Sequence, residues 1–299
     1  MGLGLRLALS GFGSLVGQHL DGLLICFRLA QGGDHGQSQL GISDGGNGQA
    51  GPAYHKPHLL FGAVYAHHLL LGTGGIGLRP APGMVGRVAC DQDHIDIILS
   101  SRATTPDRTD YIVGRSDQNP LPAMIDDARS LEQYGATAIV IPCNTAHYFI
   151  DAVRDSVSVP MPSIITETVL HLKRCGFRKP IILATEGTVS THTYQRELEQ
   201  NGMEWAVPDE AGQQTVMDII YGKVKSGVIP DPAELYAVID PLFADGCDCA
   251  ILGCTELSLI GKKMTDDPRI VDSLTVLAAC AIRLMGHKTT GFPASYDIP

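Results

Sequence analysis

Residues 138–143, Ala-Ile-Val-Ile-Pro-Cys, and residues 250–254, Ala-Ile-Leu-Gly-Cys, decide the fold. Each is a short run apolar on both faces, as a strand covered by helices requires, and each ends in a cysteine where a helix should begin. Outward from them, Ile95–Leu99 and Ile181–Ala184 read as further strands beside Ala138–Ile141 and Ala250–Leu252. Amphipathic stretches predict helices over Pro120–Tyr134, Ala146–Val153, Thr166–Cys175, Thr193–Asn201, Gly212–Ser226, Asp231–Ala244 and Ser273–Met285, with Gly135, Gly176, Gly202 and Gly246 as stops. Strands alternating with helices predict an α/β fold with mostly parallel sheets, and ligands in such sheets sit beyond the carboxyl ends of the strands. Cys143 and Cys254 are 111 residues apart, about one domain. The expectation is therefore two related lobes, each offering one thiol at a strand-to-helix junction, where a helix N-terminus lowers a thiol pKa.

Composition narrows the function. The 299 residues carry 22 Lys and Arg against 32 Asp and Glu, a net charge of −10, which argues against a nucleic-acid backbone or an anionic membrane surface as partner. A small anion needs only one well-placed Arg. The eight cysteines are too sparse and irregular for a secreted disulfide framework and predict thiols in a reducing, cytoplasmic compartment.

Residues 1–89 are a different kind of sequence. They hold 21 of 34 glycines and 6 of 11 histidines but 8 of 54 charged residues, and no glutamate. Leu3–Ala30 is apolar, yet Gln18, His19 and Asp21 interrupt it too often for a spanning helix, and no clean cleavage site follows. Gln31–Pro57 is too poor in aliphatics to offset ordering entropy, which predicts poor order. Gly72, Gly74 and Gly77 have the spacing of a dinucleotide-binding turn, but Pro80 and Pro82 oppose the helix that must follow, so a glycine-rich loop is the better reading.

The other cysteines have plain explanations. Cys26, Cys175 and Cys280 read as small core hydrophobes. Cys247, Cys249 and Cys254 lack the two-residue gap of zinc knuckles, and no suitably spaced His pair follows, so no metal is expected. Cys143 and Cys254 differ, being flanked by Thr and by an amide or a carboxylate.

Pro142-Cys143-Asn144-Thr145-Ala146-His147 and Gly253-Cys254-Thr255-Glu256-Leu257 resemble the cofactor-independent aspartate/glutamate racemase superfamily. Glu256 after the second Cys-Thr looks like its aspartate branch, whereas the glutamate branch usually has His there. Asp91-Gln92-Asp93-His94, Pro106-Asp107-Arg108-Thr109, and Leu183-Ala184-Thr185-Glu186-Gly187-Thr188 running on to Tyr194-Gln195-Arg196 agree, so the likeness covers about residues 90–285. The resemblance implies two Rossmann-like lobes related by a pseudo-two-fold with the active site in the cleft, a homodimer, and no cofactor. Its reaction is racemisation of aspartate or a related acidic amino acid: Cys143 and Cys254 alternate as thiolate base and thiol acid on opposite faces of Cα. Asn144, Thr145 and Thr255 would hold the α-carboxylate and amino group, Arg108 the side-chain carboxylate, and Arg196 would be a second cation where relatives usually have Lys. Thr185 and Glu256 would line the cleft, Glu256 meeting the substrate ammonium.

The likeness sets residues 90–164 with 271–287 as one lobe and 165–270 as the other, the last helix packing on the first. Relatives open with a strand and a Gly-rich loop that residues 1–89 do not reproduce, Leu69–Gly77 being the nearest candidate. The expectation is that residues 1–89 are not the family's usual start, as a misassigned reading would explain, and that the first lobe lacks an internal strand. Three alternatives follow: a hydantoin racemase, a maleate isomerase, or a catalytically impaired binding protein.

Overall fold

In the computed structural model the described residues are the strand backbone Leu23–Arg28, residues 95–287 other than 262 and 265, and Thr289. Cys90, the segment 91–94, the tract 31–57 and the glycines at 72, 74 and 77 lie outside them. Among the described residues six strands form two sheets. β1 Leu23–Arg28, β2 Asp96–Ser101 and β3 Ala138–Val140 make one, in the order β2-β1-β3. β4 Pro180–Leu183, β5 Cys249–Leu252 and β6 Ile270–Asp272 make the other, in the order β4-β5-β6 and parallel throughout.

The first sheet corrects two expectations. Its internal position is filled, by residues within the stretch read as atypical, and the central strand runs antiparallel to both neighbours: Leu23 pairs with Ser101, Arg28 with Asp96, and Ile25 with Val140. β2 and β3 point the same way and leave a slot between them, whose backbone donors and acceptors must be satisfied. A six-residue extended segment of either polarity does this.

Strand alternation sorts the side chains into three cores. Ala138 and Val140 face inward with Ile182, Ala184, Cys249 and Ile251. Ile139 and Ile141 face outward onto Met124, Ala128 and Leu131, and Ile181, Leu183, Ala250 and Leu252 face outward onto Val216, Ile219, Leu235 and Leu257. Both faces are buried, so the strands read as continuous apolar runs.

The helices are α1 Arg108–Ile112, α2 Leu121–Gln133, α3 Ile150–Arg154, α4 Ile164–Cys175, α5 Glu186–Ser190, α6 Thr193–Gln200, α7 Glu210–Met217, α8 Pro232–Ala244, α9 Thr255–Gly261 and α10 Ser273–Leu284. α4 and α10 contribute Val169, Leu172, Leu277 and Ile282 to the layer between the sheets and pack on each other. Their ends follow from sequence. Ser163 Oγ accepts the Thr166 N–H and Gly176, at φ 83°, closes α4, while Asp272 caps Leu274 at the start of α10; each such cap contributes about 1 kcal/mol.

Two helices differ from expectation. The stretch 146–153 begins as a 3-10 helix, Thr145–Phe149, before becoming α3. Residues 212–226 are not one helix: α7 gives way to a π-helical stretch Asp218–Lys223 and a 3-10 turn Val224–Ser226. No helix among the described residues is long and apolar enough to cross a membrane.

Candidate active site

Both cysteines sit just past a strand end, each behind a residue that suits the backbone there. Pro142 is the centre of a three-residue turn in which the Cys143 N–H donates to Ile141 O at 2.9 Å; proline's fixed φ suits that tight geometry. Gly253 instead extends the β4–β5 pairing by one bond before Cys254. Its N–H donates to Leu183 O at 2.7 Å, and a Cβ there would meet that same oxygen at 3.0 Å, so only glycine lets β5 end this close to β4.

The two thiols line one narrow cavity. Arg108, Asn144, Thr145, Thr185, Thr255 and Glu256 line it with them, so eight of the nine sequence-predicted residues come together. Arg196 does not, which corrects that expectation. It lies on the exposed face of α6 in a separate polar cleft, with Nη1 donating to Thr191 O at 2.8 Å. Its helix turns Tyr194 and Leu198 inward instead.

A second cation is present, from an element that pattern reading did not resolve. Lys225 lines the cavity, with Nζ 3.9 Å from Glu256 Oε1 and 4.1 Å from the centre of the Tyr221 ring. The wider π turn before it breaks the 3.6-residue periodicity expected over 212–226. The i, i+4 pairing of Tyr221 with Lys225 was the available signal.

The polar groups are held from both lobes. Asn144 is clamped: Tyr194 Oη donates to its Oδ1 at 2.7 Å, and its Nδ2 donates to Ser273 Oγ at 3.1 Å. Ser273 Oγ in turn donates to Leu252 O at 2.8 Å, so the two cysteine-bearing strand ends share one hydrogen-bonded chain. Thr145 lies 3.0 Å from both Thr185 and Thr188, which are 3.2 Å from each other, and Thr109 donates to Thr185 at 3.4 Å. All four threonines are buried and span the two lobes. Arg115 joins Asp110 on its own side and Glu186 across the cleft. Arg108 is 2% exposed, and its Nη1 donates to Pro106 O at 3.1 Å.

The state of Cys254 corrects another expectation. Its Sγ donates to Glu256 Oε2 at 2.8 Å, and Thr255 Oγ1 donates to the same oxygen at 3.2 Å. Burial first, then the charge of Glu256 and this hydrogen bond, push the Cys254 thiol well above its ordinary value, while Lys225 pulls the other way. A helix N-terminus contributes roughly 0.3–1 kcal/mol, which desolvation and a carboxylate in contact outweigh. Cys254 therefore rests as a proton donor.

Two strand-end thiols facing one cavity, two cations, the two carboxylates Asp107 and Glu256 and a set of hydroxyls make up the site of a two-lobed α/β isomerase. The chain belongs to the Asp/Glu/hydantoin racemase family, whose sequence model matches residues 86–281. It is 29% identical over 160 residues to a broad specificity amino-acid racemase, RacX, of Bacillus subtilis, covering 54% of this chain and 70% of that one. It is 28% identical over 157 residues to a glutamate racemase of Persephonella marina, covering 50% of this chain and 58% of that one. Among solved structures it is similar to an aspartate racemase of Picrophilus torridus, with a TM-score of 0.62 and 25% identity, covering 72% of this chain and 90% of that one.

Proposed function

We propose that this chain interconverts the L and D forms of aspartate, or of a closely related acidic amino acid, by a two-thiol transfer at Cα without a cofactor. The observation that carries the reading is the convergence of Cys143 and Cys254, from two different sheets, on one cavity. The Cα proton is very weakly acidic, so inversion needs a base on one face, an acid on the other, and stabilisation of the charge that develops. One thiolate takes the proton and becomes a thiol. The electron pair stays on the carbon and its carboxylate, and the opposite thiol gives its proton to the other face and becomes the thiolate. With Cys254 resting protonated, the first half-reaction supported is abstraction by Cys143 and donation by Cys254.

Charge complementarity favours a dicarboxylic amino acid. Arg108 and Lys225 are two cations for two carboxylates, and Glu256 is an anion for the ammonium, while Asp107, the other carboxylate in the lining, accepts the Asp110 N–H at the start of α1. The aspartate racemase likeness of Picrophilus torridus supports the same substrate class, while the RacX likeness supports a wider one. The test is chiral chromatography of L-aspartate incubated with the reduced protein. D-aspartate formed by the wild type and lost in both Cys143→Ser and Cys254→Ser supports the reading. Unchanged L-aspartate with folded wild type overturns it.

A further inference from the structure

His147 is buried, lies outside the reacting set, and makes two hydrogen bonds whose polarity is fixed by their partners. Its Nδ1 is 2.8 Å from the Cys143 carbonyl oxygen, which can only accept, and its Nε2 is 3.0 Å from the Ile164 N–H, which can only donate. The ring is therefore neutral, with the proton on Nδ1 and Nε2 bare. We propose that His147 is a positioning residue for Cys143, gripping the cysteine's carbonyl so that its thiol is aimed at one face of the substrate carbon.

The inference rests on the racemase reading, in which Cys143 must meet one face of Cα. The Cys143 backbone is held at its N–H by Ile141 O and at its carbonyl by His147, so both flanking peptide planes are set and with them the direction of the Cα–Cβ bond. The far side of the ring is anchored on the first N–H of α4, one of the donors a helix start leaves unsatisfied. The imidazole thus ties the thiol's turn to the buried layer between the sheets. Burial keeps the ring neutral down to about 4, so the arrangement persists at working pH.

Two substitutions separate the halves of this bridge. His147→Asn keeps an N–H for the Cys143 carbonyl and loses the acceptor for Ile164, whereas His147→Gln offers its oxygen to Ile164 and loses the cysteine's donor. Steady-state racemisation of aspartate, iodoacetamide labelling of Cys143 followed by mass spectrometry, and melting temperature are measured on both. Both variants should melt lower. His147→Gln should lose about tenfold or more in kcat with KM changed less than about twofold, because a small misplacement of a reacting group is costly in rate. Its Cys143 labelling should shift by about tenfold with Cys175 unchanged, and His147→Asn should stay within about threefold of wild type in both readouts.

Equal loss of melting temperature in the two variants, with kcat per folded molecule and Cys143 labelling at wild-type values, would overturn the proposal and leave a purely structural strut. If the wild type does not racemise aspartate, that reading falls, and the labelling contrast alone decides the positioning role. If neither variant folds, nitrogen-15 NMR of the wild-type imidazole decides: the Nδ1–H tautomer supports the proposal and the Nε2–H tautomer contradicts it.

Discussion

Cys254 Sγ donates to Glu256 Oε2 at 2.8 Å, in a site where the same carboxylate also takes the Thr255 hydroxyl and faces Lys225. The two cavity thiols are thus not equivalent at rest. Glu256→Gln removes one of the causes that hold the Cys254 thiol up, while burial, the largest, stays. Iodoacetamide labelling of Cys254 at pH 8 should become faster by roughly three- to tenfold, the thiolate fraction rising about tenfold per unit of pKa. A slower or unchanged rate would contradict the role given to this hydrogen bond.

The two candidate second cations are separable by kinetics. Lys225→Ala removes a charge inside the cavity and should raise KM for aspartate by about tenfold or more, on the scale of a charge-assisted contact. Arg196→Ala removes a charge from a different cleft and should leave KM within about twofold. The opposite ranking would restore the role that the sequence likeness assigned to Arg196.

Gly187 brings α5 against α1 across the cleft. A Cβ at 187 would meet Thr109 Cα at 3.0 Å and its Oγ1 at 3.2 Å, contacts that only backbone displacement relieves. Gly187→Ala should cost about 1–3 kcal/mol in urea unfolding, the range of an overpacked core, and raise KM by spreading the threonine cluster. A variant as stable and as active as wild type would show that the two helices are not in fixed contact.

Acid should weaken the fold through His147. Its folded-state pKa is lowered, chiefly by burial, from 6.5 to about 4, so between those values the unfolded chain binds a proton the native one refuses. Stability from this group therefore falls as pH drops from about 6.5 to about 4 and is unaffected above, by about 3 kcal/mol in full. His171 is shifted the same way by burial and acts in parallel. The stability gap between wild type and His147→Asn, measured in urea at pH 7 and pH 4.5, should narrow at the lower pH. A constant gap would contradict a neutral buried ring.

Much of this was legible because it is local. Apolar runs marked β3, β4 and β5, glycine stops marked α2, α4, α6 and α8, and the residues beside each cysteine follow their strands within five positions. What escaped was set by distant partners. β1 pairs with β2 and β3, the first 68 or more residues along the chain, and nothing in Leu-Leu-Ile-Cys-Phe-Arg shows that an internal slot awaits it. Lys225 enters the cavity through a π turn, where helical periodicity loses its register. The protonation of Cys254 depends on how deeply it is buried beside Glu256, and a helix-terminus argument from sequence contains only the smaller, opposing effect.

The central claim is that two thiols on opposite faces exchange one proton at Cα. Proton NMR of L-aspartate in D₂O with the reduced full-length protein reads it directly. The account predicts loss of the Cα–H signal together with appearance of D-aspartate, both abolished in Cys143→Ser and in Cys254→Ser, a loss of about 10²-fold or more for removal of a general acid or base. An intact Cα–H signal with folded wild type, or exchange that survives replacement of either cysteine, would contradict it.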